Sequence, residues 1–260
     1  MNILQVLNAA SGLFPEKVTV TLIHGETGHH IATHVLKYSE LPEAFNKPTI
    51  LEIESIKWRI VKAEHRRAGH YFKSARISLH VVPDDSFESR GRFFLPTLAA
   101  LNELEITNEP PAFNDFNLRI KREDWLQLEF LAFENIATVQ KTAAIIDSII
   151  NTADDENALL GYSIQHTRDN LYHLLEIDLP NFCSLLNIKG KGNIALSNGC
   201  FIKSGFSLQS ENHIYYGIQD NGLIRRLALA TFDSVDQEIA DVLSIYKTLF
   251  VDWCNASVLT

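Results

Sequence analysis

The richest group of side chains able to do chemistry is Gly28-His29-His30-Ile31-Ala32-Thr33-His34, with His24 just ahead of it. Imidazoles bind metal ions and move protons near neutral pH. On a helix, His30 and His34 would lie one above the other and could share an ion. The segment reads instead as a turn leading into a strand, where four residues span roughly 13 Å, too far for one ion. Solvated histidines beside a hairpin turn are the expectation, with no metal site and no cofactor. His65-Arg66-Arg67 and His70 make a local positive patch that could hold a phosphate or a carboxylate-bearing partner, so Arg66 and Arg67 are candidate binding residues. Lys189-Gly190-Lys191-Gly192 lacks the GxxxxGK spacing that cradles phosphates and reads as a flexible connector. Cys200 would need a histidine base to act as a nucleophile. His213 falls far down the neighbouring strand, so Cys200 reads as a core residue. The sequence contains no GxSxG, HExxH or GxGxxG, and no catalytic residue is assigned.

A second candidate comes from strand register. Residues 193–231 hold two turn signals, Asn198-Gly199 and Asn221-Gly222, around a polar break at Ser210-Glu211-Asn212. Asn-Gly favours a tight hairpin because both central residues tolerate positive φ. Taking Asn221-Gly222 as a two-residue turn and 210–212 as a three-residue loop sets Tyr216 opposite both Phe206 and Leu227. Ile214 then faces Leu208 and Leu229. Opposed residues share a face. The other face would carry Gly205, Gly217, Tyr215 and Arg226. Glycines inside strands mark close approach by a backbone or ligand, and an arginine anchors carboxylates. These four residues are expected to form an open binding face. At Asn198-Gly199 the count leaves two solutions: both faces covered, or a loop longer than two residues.

The elements that must position these groups suggest an α+β chain. Val18, Val20 and Leu22 alternate, as do Ile56, Trp58 and Ile60, and Ile77, Leu79 and Val81. About five short strands predict a small all-β barrel or sandwich, which with the polar linker Pro83–Arg92 makes a domain of residues 1–92. Residues 93–260 read as an antiparallel β-meander packed with two helices. Two prolines break the chain at 108–115. Strands are predicted within 116–133, a helix at about 135–151 with Asn135 as N-cap, and a hairpin turning at Arg168–Asn170. A second helix is predicted at about 235–254. Its stripe is Val235, Ile239, Val242, Tyr246, Leu249 and Trp253, with a Ser234/Gln237 capping box. Strands alternating with crossover helices are absent, which argues against a parallel doubly wound sheet.

Composition narrows the function classes. Basic residues number 23 and acidic residues 32, a net charge of −9. That opposes non-specific binding to nucleic acid and to anionic membranes, and it permits a basic partner. Three widely spaced cysteines, without a CxxC pair, argue against zinc and disulfide scaffolds and for a reducing cytoplasm. The N-terminal stretch is a poor secretory signal, and no run approaches the roughly 20 apolar residues of a membrane helix. The leading expectation is a non-enzymatic cytoplasmic protein-binding module: an adaptor, immunity-type or regulatory protein. The alternatives are an enzyme, such as a hydrolase, with a histidine-containing inter-domain site, and a nucleic-acid binder.

Overall fold

The computed structural model describes residues 17–42, 44–64, 74–84, 91–101, 104–108, 112–152, 158–169, 172–196 and 199–260. The chain is mostly β, with three α-helices among the described residues. It divides into two compact units. One is Met1–Phe94 with Ala153–Ile164, the other Leu95–Thr152 with Gln165–Thr260.

The first unit holds β1 (Lys17–His24), β2 (His30–Lys37), β3 (Ile50–Ile53), β4 (Ile56–Ala63) and β5 (Arg76–Pro83). They form one sheet in the order β2-β1-β5-β4-β3 that does not close, so the expected barrel is met only in part, as a half-barrel. β1 and β5 run parallel at its centre, and the other pairs are antiparallel. The period of two puts Val18, Val20, Leu22, Ile77, Leu79 and Val81 on one buried face. Leu159, from a short 3-10 turn at Ala158–Leu160, completes this core.

The second unit contains β6 (Thr97–Ala99), β7 (Ile106–Thr107), β8 (Phe116–Ile120), β9 (Leu128–Ala132), β10 (His166–Arg168), β11 (Ile177–Asp178), β12 (Gly190–Leu196), β13 (Phe201–Ile202), β14 (Gly205–Gln209), β15 (Ile214–Asp220), β16 (Leu223–Leu229), β17 (Thr248–Asp252) and β18 (Ser257–Leu259). Its helices are α1 (Ile136–Asn151), α2 (Leu179–Leu185) and α3 (Gln237–Tyr246). Eleven strands make one sheet, along the path β18-β17-β9-β16-β15-β14-β12-β13-β7, with β11 beside β16 and β8 beside β12. β6 and β10 form a separate parallel pair.

The meander exists, but its register differs by one residue from the expected one on both sides of β15. Tyr216 pairs with Ser207 and Ala228; Gly217 pairs with Phe206 and Leu227. Two local features cause the shift. The Ser210 N–H donates to His213 O at 3.0 Å, which leaves a two-residue loop where three were counted. The Ser210 hydroxyl also accepts from the N–H groups of Asn212 and His213. On the other strand Arg225 is an extra, bulged residue: Ile218 pairs with Arg226 and Gln219 with Ile224. The Arg225 carbonyl accepts from the N–H of Leu175. The Asn221-Gly222 turn itself has both φ values positive, 51° and 79°.

Four other expectations need correction. Lys189–Gly192 is not a connector, since β12 starts at Gly190 and pairs with both β14 and β8. An added Cβ on Gly192 would strike the Phe116 carbonyl, so the glycine permits that approach. The hairpin expected to turn at Arg168–Asn170 is not what His166–Arg168 forms, since this strand runs parallel to Thr97–Ala99; Asn170 lies outside the described residues. The last helix ends at Tyr246, where Lys247 takes a left-handed φ of 49°, and Thr248–Asp252 continues as a strand. All five residues of that strand are buried, so its apolar run shows no alternation to set it apart from a helix stripe. The first helix begins after Asn135, but the Asn135 side chain bonds the backbone of His173 in place of capping.

Gly217 carries a testable consequence. An added Cβ would collide with the Arg226 carbonyl. Gly217→Ala should therefore lower unfolding stability by about 1–3 kcal/mol in urea titration. Gly190→Ala, whose Cβ would sit 3.4 Å from the Phe116 ring, should change it by less than about 1 kcal/mol.

Candidate functional site

The observed register separates the four residues expected on one face. Tyr215 and Gly217 point with Phe206, Leu208, Leu227 and Leu229 into one core; Gly205 and Arg226 share the opposite side with Tyr216 and Ala228. Tyr215 is 0% exposed, Arg226 7%, and Gly217 is buried. Gly205 is half-buried, close against the Ile202 carbonyl. The four do not form one open surface. Arg66 and Arg67, with His65 and His70, lie outside the described residues.

Arg226 belongs to a buried polar network. Its guanidinium lies 3.6 Å from Glu129 on β9. The other carboxylate oxygen of Glu129 accepts from the indole N–H of Trp253 at 3.2 Å. Burial pushes the Glu129 carboxyl above its ordinary range, opposed by Arg226, Arg168 and that indole. Arg168, only 2% exposed, donates to Leu126 O at 2.8 Å, to Gln127 Oε1 and to Thr97 Oγ1, and lies over the Trp253 ring. Gln127 in turn donates to the carbonyls of Thr97 and Glu123. Sequence reasoning missed Arg168 because it assigned that residue to a hairpin turn, and missed Glu129 because it sits in a segment read by hydropathy alone. Most of the network's donors and acceptors are spent on one another, which makes it a framework; Glu129 Oε1 is the exception, with the Arg226 guanidinium beside it but no hydrogen bond. An open cleft of about 370 Å³ lies alongside, lined by Asp252, Cys254 and Gln127 among others. Asp252 there is held by Asn255. Arg168→Leu should destabilise the chain by about 3–5 kcal/mol in urea titration, because buried acceptors lose their donor. Arg168→Lys should restore little of that, since an ammonium cannot reproduce the planar fork.

A second polar pair fixes the start of α3. Asp236 accepts from the Ile239 N–H at 3.0 Å and sits 2.9 Å from His213 Nε2. Burial alone would raise the Asp236 carboxyl, but the Ile239 N–H and the His213 ring outweigh it and leave it below its ordinary value. A depressed carboxyl stabilises the fold above the unfolded value of about 3.9, and that contribution disappears as pH falls through the native value. Between about pH 5 and 3, the wild type should therefore lose more melting temperature than Asp236→Asn, which keeps a capping oxygen but does not titrate.

The described histidines of the first unit do not converge on a metal-binding group. His30 opposes Ile23 and lies 3.0 Å from the Thr33 hydroxyl; His34 opposes Val20 on the core side. The His24 ring accepts weakly from the N–H groups of Glu26 and Thr27.

What the first unit does present is β2. This strand is eight residues long. It pairs with β1 along one edge and, among the described residues, with nothing along the other. His30, Thr33, Val35 and Lys37 are exposed, Val35 to 61%. β2 does carry one irregularity, a bulge opposite Leu22/Ile23. From Ala32 onward its register is regular. An edge of this kind offers a row of backbone donors and acceptors to an incoming strand. Comparison with known proteins finds no matching family, no matching curated protein and no matching solved structure.

Proposed function

We propose that this chain is a non-enzymatic protein-binding module that takes an extended segment of its partner as an added strand on β2. One observation carries the reading: β2 is a long terminal strand that, among the described residues, is paired on a single side. The other terminal strands are short. β8, paired only with β12, has five residues, β3 four, β6, β10 and β18 three, and β7 and β11 two. Short edges are a common protection against unwanted pairing, and β2 lacks it. It contains no proline, and its charged side chain, Lys37, stands at its end. Strand addition draws affinity from main-chain hydrogen bonds and selectivity from alternate side chains. Both faces of the large sheet in the second unit are filled by its own side chains. Cys183, Cys200 and Cys254 are free thiols, which supports work in a reducing compartment such as the cytoplasm.

The test is a selection of displayed twelve-residue peptides on the folded full chain, followed by amide hydrogen exchange with each selected peptide. Binding peptides should slow exchange within residues 30–37. A selection that yields no peptide protecting this segment would overturn the reading.

A further inference from the structure

We infer that the strand received by β2 is acidic, and that Lys17, Lys37 and Arg76 recognise its carboxylates. This rests on the reading of β2 as an acceptor edge.

The cations are brought together by register. Lys17 and Lys37 are directly opposite across β1 and β2. In the next row on the same face, Thr19 pairs with Val35 on one side and Arg76 on the other. Rows on one face are about 7 Å apart and strands about 4.8 Å, so three cations occupy one corner of the sheet. All three are exposed. Among the described residues none of them is in an ion pair. The carboxylate nearest to Lys37 in sequence, Glu40, is turned onto the backbone N–H of Lys37 at 2.6 Å, and Glu16, next to Lys17, lies outside the described residues. Like charges directly opposite each other are destabilising, so Lys17 and Lys37 form a cross-strand pair that a carboxylate would relieve.

A strand added to β2 would place every second side chain on this face, beside Thr33, Val35 and Lys37. An acidic residue level with Lys37 would meet both lysines, and an apolar one would cover Val35. The next row, Thr33, Thr21 and Ser78, supplies hydroxyls. The chain's net charge of −9 does not cancel this corner, because fields decay over about 8 Å at physiological ionic strength. A nucleic acid suits it less. These rows hold no aromatic side chain on which a base could stack, and a sugar–phosphate chain cannot match the backbone groups of a strand edge.

The experiment uses the full chain and three fluorescein-labelled ten-residue peptides alternating valine with glutamate, threonine or lysine. Anisotropy gives affinity and hydrogen exchange gives position. The Glu–Val peptide should bind about tenfold more tightly than Thr–Val at low salt, and the gap should close near 1 M salt, where screening acts within about 3 Å. Lys17→Glu/Lys37→Glu should shift the preference to Lys–Val, and Lys17→Gln/Lys37→Gln should abolish it; unchanged melting temperatures certify both folds. If Thr–Val protects residues 30–37 as well as Glu–Val does, the acidic preference is wrong and the acceptor edge stands. If no peptide protects that segment, the acceptor edge fails and this inference with it. Single-stranded oligothymidylate or vesicles of anionic lipid binding through these lysines, without peptide binding, would make the corner a phosphate site and overturn the proposal.

Discussion

A guanidinium taken out of water must find acceptors, and the acceptors Arg168 finds determine how much of the second unit goes together. It draws on Leu126, Gln127 and Thr97 and lies over Trp253. Trp253 donates to Glu129, and Glu129 stands beside Arg226 on β16. Segments near residues 97, 127, 168, 226 and 253 are thereby held in one arrangement. Apolar burial is non-directional and tolerates neighbouring registers. A forked donor with fixed geometry does not.

The first unit was legible because its sheet buries one face. Val18, Val20 and Leu22 alternate with Thr19, Thr21 and Ile23, and the eye can follow that period. In the second unit both faces are covered, and the signal disappears. Leu249, Phe250 and Val251 are all fully buried, and a strand with no polar side looks like a helix stripe. The meander's turn at Asn221-Gly222 was readable from its φ requirement. The bulge at Arg225 was not, since it depends on Leu175 arriving from fifty residues away. A single displaced residue was enough to send Tyr215 and Arg226 to opposite sides of the sheet. β2 could be recognised as a strand, but its place at the edge could not. That depends on β5 entering beside β1, which is a property of topology and not of local pattern.

Recognition in a protein built this way falls to edges and corners. The faces of the large sheet are occupied: one by Phe182 of α2 and Ile239 and Val242 of α3, the other by Trp125, Ile194 and Ile202. Its two ends are clipped to strands of three and two residues. Only in the first unit does a long strand keep one side unpaired among the described residues, and there the neighbouring side chains are cationic.

The path of the chain also imposes an order on its own assembly. β9, at residues 128–132, lies between β16 and β17, whose residues follow it by roughly a hundred positions or more. Leu159 belongs to the first unit's core, although residues 95–152 of the second unit are made before it. On a ribosome the first unit cannot finish until residues 95–152 of the second have been made, and the second must wait for the end of the chain. The apolar strands of both must be held open together, and chain topologies rich in distant pairings fold slowly. A cell making this protein would meet its greatest hazard during synthesis, when β9 is exposed and its two neighbours do not yet exist.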